Sequence, residues 1–138
     1  MRTIVSLAIS AVIASAAVSA QAGCMRCDPI LNITKAPVTS ATGKPLSNDQ
    51  VKAAIIRAGA ALGWQMKDEA PGKLVATINL RKHTANIEIP YSPSDYSITY
   101  KDSINLDAGT DGTIHKNYNG WIQNLNRGIA AQLNAAGV

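Results

Sequence analysis

Residues 73–106 read KLVATINLRKHTANIEIPYSPSDYSITYKDSINL, and three segments of that stretch alternate apolar and polar residues with period two. Leu74, Ala76, Ile78 and Leu80 fall on one side of the first segment. Ala85, Ile87, Ile89 and Tyr91 repeat the pattern, and Tyr96, Ile98 and Tyr100 repeat it again. Side chains along a strand point alternately to the two faces of a sheet, so each segment makes one apolar and one polar face. Three such segments in a row predict an antiparallel meander with a single greasy side.

The connections set an expected register. A tight turn at Lys82-His83, flanked by Arg81 and Thr84, pairs Asn79 with Asn86, Thr77 with Glu88, Leu80 with Ala85 and Ile78 with Ile87. The same parity sets Glu88 opposite Ser97 and Asn86 opposite Thr99, with 90–95 (PYSPSD) as the second turn. One register then satisfies both faces, as a meander requires. Upstream, Ala70-Pro71-Gly72 is a turn signal, and residues 64–69 supply a short additional strand.

On either side of this stretch the period changes to that of a helix. Ser47-Asn48-Asp49-Gln50 has the S-x-x-Q form of a capping box, in which serine and glutamine satisfy each other's backbone donors. Val51, Ala54, Ile55, Ala58 and Leu62 follow at helical spacing, and Gly63 stands where a helix ends in the left-handed conformation. Residues 106–112 form a loop with two glycines and two aspartates. From Thr113 onward Ile114, Tyr118, Trp121, Ile122, Leu125, Ile129 and Leu133 mark a second, longer amphipathic helix. Gly120 and Gly128 each cost that helix about 1 kcal/mol relative to alanine, so packing must hold it. The expected fold is α+β: a two-layer sandwich in which a three- to four-stranded antiparallel meander carries an N-terminal and a C-terminal helix on one face. That domain spans residues 47–138. Its other sheet face, with Thr77, Asn79, Arg81, Thr84, Asn86, Glu88, Thr99 and Lys101, is expected to be wet.

The N-terminal third reads differently. Residues 1–22 open with Arg2, continue through an apolar run and end in Ala20-Gln21-Ala22, the three parts of a secretory signal peptide. Their alanines and serines suit a cleaved leader better than a bilayer span. An exported product, periplasmic or extracellular, is the expectation. Residues 23–46 contain three prolines and little periodicity. They read as a tether, with Ile30, Leu31 and Ile33 available to dock on the domain.

The rest of the composition bounds function. Apolar residues make up 46% of the chain, yet there is no Phe and there are only two Trp and four Tyr, so the core is expected to be small and aliphatic. The formal charge is +4, and the Lys and Arg residues are scattered singly. A nucleic-acid binder should show a basic stripe interleaved with aromatics, and none is present.

Cys24-Met25-Arg26-Cys27 is a C-x-x-C. A redox pair of that spacing opens a helix after a strand, whereas this one sits in the tail beside the cleavage site. Zinc needs two further ligands at short spacing, and the only histidines, His83 and His115, are far away in sequence. A local disulfide formed in an oxidising compartment is the simplest reading. Acylation of Cys24 is the alternative, and only that modification would attach the protein to a membrane. No metal site and no cofactor are assigned on sequence. Transfer of a soft ion by Cys24 and Cys27, with Met25 assisting, is the metal-carrier alternative.

Arg81, His83, Asp102, Ser103, Asn105 and His115 are polar residues at strand ends and at a helix start, and they are the ligand-binding candidates. Ser103 with Asp102 and a histidine has the composition of a hydrolase triad, but a triad is defined by geometry, and no G-x-S-x-G elbow surrounds Ser103. Asp102, Ser103 and Asn105 equally suit a strand exit held by side-chain-to-backbone hydrogen bonds. A non-enzymatic module that binds an envelope protein or a cell-wall ligand is therefore preferred. A metal carrier or hydrolase using Cys24 and Cys27 or His83 and His115 is the alternative.

Several of these residues fall in recognisable runs: Gly63-Trp64, Arg81-x-His83-x-Ala85-x-Ile87-x-Ile89-x-Tyr91, Tyr96-Ser97-Ile98-x-Tyr100-x-Asp102-Ser103-x-Asn105-Leu106 and Ile114-His115-x-x-Tyr118-Asn119-x-Trp121-Ile122-x-Asn124-Leu125. Over roughly Pro29 to Leu133 the chain resembles a group of small bacterial envelope proteins that includes many lipoproteins. The resemblance implies the compartment and the fold but no activity. It departs from the group at Gln21-Ala22-Gly23-Cys24, where a lipobox has an aliphatic residue in place of Gln21.

Overall fold

The computed structural model describes residues 24–137; the expected leader and its cleavage site lie outside the described residues. The chain runs β1 (Cys27–Pro29), β2 (Ile33–Pro37), α1 (Asn48–Ala61), β3 (Trp64–Ala70), β4 (Lys73–Leu80), β5 (His83–Pro90), β6 (Asp95–Ile104), β7 (Thr113–His115) and α2 (Lys116–Ala136). The protein is α+β, with a five-stranded antiparallel sheet in the order β2-β6-β5-β4-β3 and a separate two-stranded ribbon, β1-β7.

Period-two alternation makes the core. Leu74, Ala76 and Ile78 on β4, Ala85, Ile87 and Ile89 on β5, and Tyr96 and Ile98 on β6 are all buried. They form one cluster with Val51, Ala54, Ile55 and Ala58 of α1 and with Tyr118, Ile122, Leu125, Ile129 and Leu133 of α2. Leu80, the last residue of its stripe, lies past the end of that cluster and is 39% exposed. Ser47 caps α1 in the expected box: its hydroxyl accepts from the Gln50 N–H while the Gln50 side chain accepts from the Ser47 N–H. Gly63 follows at φ 89, the left-handed conformation that glycine reaches without a Cβ penalty.

The hairpin register differs from the expected one. The turn is Arg81-Lys82, not Lys82-His83, so Leu80 pairs with His83, Ile78 with Ala85 and Thr77 with Asn86. Arg81 makes the two-residue loop possible by adopting φ 57. Each strand slides by one position in opposite directions, which preserves parity, and every apolar residue therefore keeps its face. On the next pair, Glu88 faces Thr99 and Ile87 faces Tyr100 before the ladder shifts so that Asn86 faces Asp102. The shift is a bulge at Lys101, which was expected on the polar face.

The supposed tether contributes structure. β2 pairs with β6 through Ile33↔Ile98, Ala36↔Tyr96 and Pro37↔Asp95, and β1 pairs with β7. Ile30, Leu31, Ile33 and Val38 pack against the core from this segment. At the other end α2 begins at Lys116, so Ile114, expected at the start of that helix, belongs to β7 instead.

Tyr118, fully buried on α2, meets Tyr100 edge to face with ring centroids 5.5 Å apart. Its hydroxyl has no hydrogen-bond partner among the described residues. Burial, and secondarily Tyr100, pushes its pKa well above the ordinary tyrosine value. Below pH about 10 both folded and unfolded chains keep this proton. Above that, the unfolded chain releases it and the folded chain does not, so stability falls as pH rises toward the folded value. Replacing Tyr118 by Phe is expected to stabilise the protein by up to about 1 kcal/mol at neutral pH, because an orphaned buried hydroxyl is removed. It should also flatten the loss of stability above pH 10; thermal melts across that range check both.

Candidate functional site

The β6 exit, residues 105–107, is the junction of the candidate residues. Leu106 is buried between Asn105 and Asp107, whose backbones sit at φ 59 and φ 53. Two left-handed residues around a core plug turn the chain sharply, and Asn and Asp tolerate that conformation better than most. Asn105 is tied to the β4–β5 hairpin from both sides. Its side-chain amide donates to the Lys82 carbonyl at 2.8 Å, and its own carbonyl accepts from His83 Nδ1 at 2.6 Å. A carbonyl only accepts, so His83 carries a proton on Nδ1. His115 has the opposite arrangement: its Nδ1 accepts from the Asn117 N–H at 3.2 Å and caps α2. Arg81 is exposed at the hairpin tip.

The bulge at Lys101 reverses the faces that Asp102 and Ser103 would take by unbroken alternation. Asp102 joins the open face, where Thr77 Oγ1 donates to Asn86 Oδ1 at 2.5 Å and Asn86 Nδ2 donates to Asp102 Oδ1 at 2.5 Å. Ser103 pairs with buried Ala85, and its hydroxyl shares a hydrogen bond with Tyr100 Oη at 2.8 Å. Acid and serine thus stand on opposite sides of one strand, and each has a non-histidine partner. The open face continues with Thr84 donating to Asn79 and with Lys73 paired to Glu88 at 3.3 Å. Ile104, directly opposite Thr84, stands on that face with 59% of its surface exposed.

Cys24 and Cys27 form a disulfide. Acylation of Cys24 would require that sulfur to be free instead. His115 lies opposite Cys27 in the β1-β7 ribbon, whereas His83 is bound to the hairpin and strand exit, so the two histidines serve different elements. One group of three metal-ligating side chains is present among the described residues: Cys24, Cys27 and Asp107, with ligand atoms all within 4.8 Å of one another. Asp107 was not a candidate on sequence, because some 80 residues separate it from the cysteines and spacing rules read only local clusters. Nearby, Thr113 donates its hydroxyl and its N–H to Asp111, holding that carboxyl below the usual range and shaping the 107–112 loop.

Among the described residues no helix is long and apolar enough to cross a membrane. No family model, no curated protein and no solved structure matches this chain.

Proposed function

We propose that the chain is exported and acts as a non-enzymatic binding module of the cell envelope. In this reading α1 and α2 cover one face of the sheet as a two-layer sandwich, and the bare face, at the end bearing the 81–83 hairpin, receives a protein partner. The disulfide suits an oxidising compartment, and the signal-like leader and the family resemblance point the same way.

The exposure of Ile104 carries the proposal. A large aliphatic side chain stands 59% exposed on a face whose other side chains, Val75 apart, are mostly polar, beside the Thr77–Asn86–Asp102 row. Interfaces combine an apolar centre with hydrogen-bonding groups around it and are enriched in Arg. Leu80, 39% exposed, adds apolar surface at the same end.

The test is cross-linking and co-purification from envelope extract with the wild type, Ile104→Asp and a double Arg81→Ala/His83→Ala variant. The expected result is at least a tenfold loss of the same captured protein in Ile104→Asp, at an unchanged melting temperature, with a smaller loss in the double variant. Identical capture by all three would remove this face as the contact. Retention on isolated cell wall, lost in the same variants, would reassign the partner to a cell-wall ligand.

A further inference from the structure

We propose that Cys24, Cys27 and Asp107 form a zinc site that is closed while the cysteines are joined and opens when a dithiol reductant separates them. This inference is independent of the sheet face and rests on the N-terminal ribbon alone.

The disulfide leaves Asp107 in a poor position. Cys24 Sγ is 3.8 Å from Asp107 Oδ2, and Cys27 Sγ is 3.9 Å from the Asp107 carbonyl oxygen. Disulfide sulfurs carry no proton, so neither approach is a hydrogen bond in the oxidised chain; acceptors face acceptors. Yet the arrangement is held from both sides. The Lys116 N–H donates to the Arg26 carbonyl at 2.8 Å, the Ile30 N–H to Gly112 at 2.9 Å and the His115 N–H to Leu106 at 2.8 Å. The backbone of Asp107 also adopts φ 53, which a non-glycine residue takes only at some cost. Once the disulfide is cut, two thiolates and the carboxylate lie on one side of this braced ribbon, close enough to share a cation.

The dimensions favour zinc. Tetrahedral zinc with Zn–S near 2.3 Å and Zn–O near 2.1 Å places sulfur and oxygen about 3.6 Å apart, and the Cys24 sulfur and the Asp107 carboxylate already stand 3.8 Å apart. Only the two sulfurs have to move, outward, once their bond is cut. Two thiolates and a carboxylate match a borderline divalent ion better than Cu(I), for which a thioether would be the natural third ligand. Met25 is fully exposed. Three protein ligands leave the fourth position for water or for a receiving group.

The chemistry balances with a reducing dithiol as the co-reactant. One thiolate of the reductant attacks a disulfide sulfur, and its second thiol resolves the mixed disulfide. The reductant becomes a disulfide while Cys24 and Cys27 each gain a hydrogen. Binding Zn(II) then releases those two protons as the thiols become thiolates. Both cysteines are partly exposed, so the attacking thiol has access.

The test uses the chain without its leader, either oxidised or reduced with a dithiol that is then removed under nitrogen. Zn(II) is titrated in competition with a chromophoric chelator, and Co(II) is added separately to read thiolate-to-metal charge transfer. Reduced wild type should take up one ion and oxidised wild type none. Asp107→Asn should bind at least tenfold more weakly, while Asp28→Asn, next to Cys27 on β1, binds as wild type. Asparagine tolerates the left-handed backbone at position 107, so that variant keeps its fold. Equal affinity of Asp107→Asn and wild type, or uptake by the reduced chain no stronger than by Cys24→Ser, would overturn the proposal.

Discussion

Replacing Ile87 by Ala should cost this protein about 3 kcal/mol, within the range for truncating a fully buried isoleucine. Ile87 has no exposed surface and sits on β5, the central strand, between Ala76 of β4 and Tyr100 of β6. The cavity would open inside the buried cluster that Ile87 shares with residues of α1 and α2. For a domain whose total stability is of order 5–15 kcal/mol, that is a large share. The matched substitution Ile104→Ala removes the same atoms from the open face and should change stability by no more than about 0.5 kcal/mol. Urea titrations of the two variants make the comparison directly: the midpoint of Ile87→Ala should fall at unchanged slope. Equal midpoints would mean that the two faces of the sheet are not different environments.

The second large effect concerns the segment before residue 39. Starting the chain at Thr39 should lower stability by about 2 kcal/mol and make the protein self-associate. Four partly buried aliphatics, Ile30, Leu31, Ile33 and Val38, leave the core, a loss of about 4 kcal/mol of burial, and the freed chain's entropy returns part of it. Backbone pairing is lost as well. Val38 N–H no longer donates to Ser94, and Asn32 no longer accepts from the Tyr100 N–H. β6, a strand of 10 residues, becomes a bare edge, the kind of edge that templates association between chains. A segment that were only a tether would be removable with no change in melting temperature and no shift in elution volume.

That segment also marks where the sequence stopped being legible. Residues 33–37, ITKAP, end in proline and lack alternation, and Lys35 sits at φ 48 inside a register shift. An edge strand with a kink and one hydrogen-bonded side carries almost no periodic signal. The meander was readable for the opposite reason. Its strands face an apolar core on one side only, so Leu74, Ala76, Ile78, Ala85, Ile87, Ile89, Tyr96 and Ile98 announced their face even though the assumed turn was one residue off. An Arg-Lys turn has none of the Gly or Asn chemistry that fixes a loop from sequence. The same holds for the bulge at Lys101, which no glycine marks and which moves Asp102 to the polar face and Ser103 to the core side. At the candidate site, the composition of the hairpin edge was readable, but its wiring through Asn105 was not. Asp107 meets the cysteines only because β1 pairs with β7.

Maleimide labelling of two variants with one free thiol each, Ile104→Cys and Ile87→Cys, with the native disulfide left oxidised, tests most directly that one face of the sheet is sealed and the other is bare. Under native conditions Ile104→Cys should react at the rate of a free thiol, while Ile87→Cys should remain unlabelled until denaturant is added. Rapid native labelling at position 87, or protection at position 104 in the isolated protein, would contradict the architecture and the binding surface drawn from it.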